Sequence, residues 1–140
     1  MANTQAISGA MKQAALSAVV DSKALKAALY LASATTNGGN SAYTATGEVS
    51  GTNYTAGGVS VTNGNTAGLT STTAFWTPSA SIAYTNVTLA TAFDAVMIYS
   101  TTDTNRNLGV FTFGSQTVTA GTLTLTMPTN DSSTGLIRFA

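Results

Sequence analysis

Apolar positions along the chain fall into two regimes, a short stretch at helical spacing and a long stretch of strand-like alternation. Ile7, Met11, Ala15 and Val19 recur at intervals of four, which places them on one face of a helix. Ser8 stands where an N-cap is expected, and Asp21-Ser22 ends the pattern. A short Ala-rich helix is marginal alone, so it is expected to dock, either on its own domain or on a neighbouring subunit. Lys23 to Ser33 supports two readings. Its Ala, Leu and Lys content favours a helix. The alternation of Leu25, Ala27, Leu29 and Leu31 with Lys26, Ala28 and Tyr30 suits a strand with one dry face.

Beyond the polar loop Thr35 to Ser41, the pattern predicts strands separated by turn chemistry. Val59-Ser60-Val61 is followed by Asn63-Gly64, a type I′ hairpin signal. Gly68 to Thr77 follows, stopped by Pro78. Ser81 to Leu89 changes parity between Tyr84 and Val87, which predicts a bulge near Thr85-Asn86. Phe93 to Tyr99 is apolar on both parities apart from Asp94, as in a strand buried on two faces. Leu108 to Phe113 is expected to end in a turn at Gly114-Ser115. Thr117 to Met127 alternates, with Leu123, Leu125 and Met127 inward, and Leu136 to Phe139 closes the series. Roughly eight short strands point to a mainly β protein, a jelly-roll-like antiparallel β-sandwich. Residues 1–22 would form an N-terminal arm or short helix, and residues 23–140 a single sandwich domain.

Gly47 to Val61 sits between these regimes, with Tyr54 as its one large ring. Glycine serves where the backbone needs positive φ or close approach, so Gly57-Gly58 reads as a corner feeding the strand at Val59. The run Glu48-Val49-Ser50-Gly51-Thr52-Asn53-Tyr54-Thr55-Ala56-Gly57-Gly58 resembles the signature of a family of short virion structural proteins of tailed bacteriophages. The likeness extends to Lys26-Ala27-Ala28-Leu29-Tyr30, Ala95-Val96-Met97-Ile98-Tyr99, Leu108-Gly109-Val110-Phe111-Thr112-Phe113-Gly114 and Leu136-Ile137-Arg138-Phe139-Ala140. It implies a strand at Lys23 to Ser33 and a virion component assembled in the host cytoplasm. The partners so implied are other virion proteins, the major capsid protein or tail proteins. A capsid decoration or cement role is the first expectation, and a tail or tail-fibre protein binding host glycans the second. A secreted cell-surface module is third, and an enzyme a distant fourth.

Composition sharpens this picture. Only 7% of the 140 residues are charged and the formal net charge is zero, so colloidal repulsion is weak and association is favoured. A homo-oligomer, with a trimer first in mind, is therefore expected. The five basic residues are scattered, which leaves no phosphate-tracking stripe and argues against nucleic acid. No apolar run reaches the length needed to cross a bilayer. Ala14 to Val20 lacks the flanking pattern of a secretory signal.

The chain has no His and no Cys, so a Ser-His-Asp or Cys-His arrangement cannot be built and no thiolate metal site exists. The acids Asp21, Glu48, Asp94, Asp103 and Asp131 stand singly, whereas glycosidic cleavage needs a facing pair. Asp94, in an apolar run, is expected to face water or pair with Arg106 or Arg138. Asp103 to Asn107 has oxygen ligands at alternate positions but lacks the Gly and Glu of a calcium loop, and Asn130-Asp131 is weaker still. Trp76, Tyr84 and Tyr54 suit a core better than a sugar platform. No catalytic residue, metal or cofactor is assigned. The residues expected to touch a partner are Ile7, Met11, Val19 and Tyr54.

Overall fold

The computed structural model describes residues 2–140. Its elements are one helix, α1 (Gly9–Val20), and seven strands: β1 (Leu25–Leu31), β2 (Val59–Val61), β3 (Gly68–Thr70), β4 (Thr73–Trp76), β5 (Ile82–Ser100), β6 (Arg106–Leu125) and β7 (Ile137–Phe139). They form two antiparallel sheets, ordered β2-β1-β5-β6 and β3-β4-β7. The protein is mainly β, a two-sheet sandwich with a short N-terminal helix.

One core joins the sheets and the helix. Leu16 and Val20 of α1, Leu25, Ala27 and Leu29 of β1, and Ala74 and Trp76 of β4 all pack with the inward side chains of β5. The opposite face of the central strands is also dry. Ala28, Tyr30, Ala95, Met97 and Tyr99 form a second cluster with Ala34, Tyr43 and Val110. Strands β1 and β5 are thus buried on both sides, which is why Phe93 to Tyr99 reads as apolar at every position. The long connection between β1 and β2 supplies the second cover. It is held by isolated bridges, Tyr30 to Glu48, Ala42 to Arg106 and Thr52 to Thr88.

Several expectations need correction. Gly114-Ser115 does not turn the chain, and the segments on either side of it belong to the single strand β6. Ser81 to Leu89 and Phe93 to Tyr99 likewise merge into β5. Four register shifts between Tyr84 and Ala95 bend this hairpin without breaking it, the first at the expected place, where Asn86 has φ 51°. Asn63-Gly64 does not make a hairpin, and neither residue has positive φ. β2 pairs with β1, while β3 lies in the other sheet, so the segment is a crossover. The Asn63 amide is spent on the end of α1, donating to Val20 O at 2.6 Å and Lys23 O at 3.0 Å. Two carbonyls without helical partners are thereby satisfied.

The helix also presents a different face inward. Gly9, Leu16 and Val20 are buried, and Val19 is half-buried against the core. A side chain at Gly9 would stand 2.9 Å from Ser71 O, so its absence lets the helix meet the β3–β4 turn. Lys12 Nζ donates to Thr72 O (3.2 Å) and Gln13 Nε2 to Ala67 O (2.9 Å), which fixes this rotation. Ile7 and Met11 are left outside, 59% and 55% exposed. Ser8 occupies the N-cap position without a side-chain hydrogen bond.

Candidate functional site

The Gly47 to Val61 segment is where polar side chains gather, and its glycines explain how. Gly58 has φ +80°, and a Cβ there would lie 1.8 Å from Ala27 O. At Gly51 a Cβ would lie 2.0 Å from Thr88 O. The segment therefore runs flush against β1 and β5 with no room for side chains at either contact.

This close approach brings Glu48, the only Glu in the chain, among the five tyrosines. Tyr54 Oη donates to Glu48 Oε1 at 2.7 Å and accepts from Leu29 N at 2.9 Å. Tyr43 Oη donates to Glu48 Oε2 at 2.5 Å, and Gly57 N donates to Oε1 at 2.7 Å. Around them, Tyr30 Oη donates to Thr44 O, Tyr84 Oη to Ala27 O and Tyr99 Oη to Gly57 O, each at 2.7 Å. Tyr43 stacks on Tyr99 at 4.8 Å and Tyr54 on Tyr84 at 6.0 Å between ring centroids. Burial, then the nearby Glu48 carboxyl, pushes the Tyr30 hydroxyl up to about 12. The other four phenols are raised as well, burial again being the largest cause.

Every Glu48 oxygen has a partner, and no tyrosine hydroxyl points to open solvent with a free role. The arrangement is a clasp tying the connection to the sheet. Tyr54 is half-buried, with its hydroxyl turned inward onto Leu29 N and Glu48. Trp76 and Tyr84 are 0% and 1% exposed and so form no sugar platform.

The remaining candidates resolve as local structure. Asp103 forms the one ion pair among the described residues, to Lys23 Nζ at 3.2 Å, and Asp94 pairs with neither Arg106 nor Arg138. Thr104 and Asn105 have φ of 53° and 58° in the β5–β6 turn, closed by Arg106 N donating to Asp103 O. Asp131 Oδ1 accepts from Ser133 N, Thr134 N and Ser133 Oγ at 2.7, 2.7 and 2.9 Å. These bonds, the Thr134 N–H first, hold its carboxyl down at about 2. Among the described residues no group of three or more acids forms a metal site. No helix of the described chain is long and apolar enough to cross a membrane.

What remains is surface shape. A groove of about 370 Å³ opens between the arms of the bent β5–β6 hairpin, lined by Val96, Ile98, Phe111, Phe113, Leu125 and Met127 with no ionisable side chain among its walls. A second cleft, of about 500 Å³, is polar, with Ser33, Thr35, Thr36, Asn40, Thr44 and Thr46 on its walls and no aromatic ring. The groove was not visible in sequence, because its walls come from two halves of a strand that reads as two. Comparison with protein-family models, with curated proteins and with solved structures finds no match for this chain.

Proposed function

We propose that this chain is a non-enzymatic structural protein of a tailed-phage virion, most simply a capsid-associated decoration or cement protein. It would act as a homo-oligomer through apolar and backbone contacts with the major capsid protein. The observation that carries the reading is the division of polarity. The clustered polar groups are consumed inside, in the Glu48–tyrosine clasp, while Ile7 and Met11 stand in solvent beside almost no charge. Large apolar side chains held outside a well-filled core mark an interaction surface. The likeness of the Glu48 to Gly58 run to phage structural proteins adds the particle as the place where such a surface is used. A tail or tail-fibre role with host glycans is the second reading, favoured by the hydroxyl- and amide-lined cleft from Ser33 to Gly47. That cleft lacks the stacking ring usual for sugar faces, which places it second.

The test is location and copy number on purified particles of the phage that encodes the chain, by labelled antibody and quantitative mass spectrometry. Hundreds of copies on the head, removed by mild denaturant to leave fragile capsids, is the expected result. A handful of copies on the tail with retention on host polysaccharide would favour the second reading. Absence from particles would overturn both.

A further inference from the structure

The sandwich has four sheet edges, and three of them are strands of only three residues: β2, β3 and β7. The fourth, β6, is 20 residues long. Natural sheets blunt a long edge with Lys, Pro, inward charges or bulges. From Asn107 to Leu125, β6 has no Lys, Pro or charge, and the bulges of its pairing with β5 lie on either side of Gly109 to Thr112. Asn107 N donates to Ser41 O, and beyond it no backbone hydrogen bond covers the outer side of β6 among the described residues. Gly109 to Thr112 pairs with β5 in unbroken register, so this part of the edge is regular. The apolar groove opens alongside, with Phe111 and Phe113 on its wall.

The opposite need is met elsewhere on the same chain. Residues 2–8 are exposed throughout and uncharged. No hydrogen bond joins residues 2–7 to the rest of the described chain. Ile7 and Met11, at helical spacing, are two of the three large exposed apolar side chains among the described residues. Helix α1 is apolar on both sides. Leu16 and Val20 face its own core, while Met11, Ala14, Ala15 and Ala18 face outward. The outward face thus carries apolar side chains that the rest of the described chain leaves uncovered.

We infer that the arm and first helical turn of one copy seat on the β6 edge of a second copy, with Ile7 and Met11 entering its groove. Two features select this occupant over an unrelated partner. Arm residues 2–8 and the groove walls carry no ionisable side chain, and Lys12, the one cation of the first helical turn, has its Nζ held on Thr72 O, so neither surface forces a desolvated charge on the other. Each surface has backbone groups without a protein partner, and strand addition pairs them. Because the two patches differ, the contact is head-to-tail and closes into a ring or extends as a filament. This deepens the structural-protein reading by naming the surfaces through which copies join.

The experiment is sedimentation velocity on the purified full chain, with circular dichroism as the folding control. The wild type is expected to self-associate at micromolar concentration. The pair Ile7→Lys and Met11→Lys alters only exposed arm positions and should weaken association by about a hundredfold or more, from the lost apolar burial. The pair Gln116→Arg and Thr126→Arg places charge at exposed groove positions and should do the same. Mixing the two variants restores one intact contact, so a one-to-one heterodimer should appear where neither variant alone associates. A monomeric wild type, undiminished association in either variant, or a mixture that stays monomeric would overturn the contact. A chain that passes these tests yet is absent from particles would sink the virion reading and leave the contact standing.

Discussion

Two residues decide how the signature segment behaves, and both were legible only in part. Gly58 reads as a corner in sequence, and its contact with Ala27 O gives that reading a physical cause. Gly58→Ala should therefore cost more than 3 kcal/mol, or prevent folding, since both φ and space are wrong for a side chain (on the order of ~1–3 kcal/mol for backbone strain alone). Tyr54 stood out as the one large ring of that segment, but nothing local told that its hydroxyl would bridge Leu29 N and Glu48, because those partners arrive through tertiary folding. Tyr54→Phe leaves the Leu29 N–H without its acceptor and should lose about 1–3 kcal/mol in chemical denaturation. The phenols also set the alkaline limit. Their folded pKa values are raised, to about 12 for Tyr30. The unfolded chain thus releases protons near the ordinary value of about 10 while the folded chain does not. The stability they contribute is complete below that ordinary value and is lost as pH rises through the folded value. Tyrosinate absorbance should accordingly appear together with loss of near-ultraviolet dichroism, in one cooperative step. Phenols titrating freely in a folded protein would contradict the clasp. At the acid end, Asp131 works with the opposite sign, its contribution being lost as pH falls towards about 2.

Elements were easier to place than to connect. Lys23 to Ser33, which its residues left open between helix and strand and the resemblance turned to strand, does hold a strand, yet both of its faces are buried, because the β1–β2 connection covers the side that alternation marks as outward. The parity change at Thr85-Asn86 identified a real bulge. The same logic misjudged Gly114-Ser115, since a glycine that bends a long hairpin and one that ends a strand look alike in sequence. Asn63-Gly64 misled for a different reason. The Asn63 side chain was committed to α1, an element 40 or more residues away. That bond gives an element-scale prediction. Asn63→Ala should take the side-chain donor from Lys23 O and leave Val20 O with only the 3.3 Å bond from Lys23 N, destabilising the chain by about 1–2 kcal/mol. Hydrogen exchange should quicken first in α1 and the turn after it, with the β5–β6 hairpin unchanged. Equal loss of protection everywhere would mean that α1 has no separate stability and is anchored by Leu16 and Val20 alone.

At the scale of the molecule, the scarcity of charge was legible from composition, and its consequence becomes specific in the fold. With one ion pair among the described residues, at 3.2 Å and about a quarter exposed, Coulomb terms have little to contribute to stability. The core is made of neutral contacts, and the clasp around Glu48 is a set of hydrogen bonds partly buried away from salt. Thermal midpoints should therefore change by no more than about 2 °C between low salt and several times physiological salt, an interval within the shift that a fraction of a kcal/mol produces in a domain of this size. Attachment to a partner should behave likewise, because the exposed surfaces offered by Ile7, Met11 and the β6 groove are uncharged. Temperature should act differently from salt. Burial of apolar surface carries a negative heat-capacity change, so association through these faces should weaken on cooling towards freezing. On the capsid role proposed above, isothermal titration of the chain onto capsids stripped of it, repeated across temperature and salt, separates the two causes. A steep fall in affinity from low to moderate salt would mean that charges on the partner make the contact, with Lys12, Lys26, Arg106 or Arg138 as their counterparts. In that case the uncharged groove and arm are not what holds the chain in place.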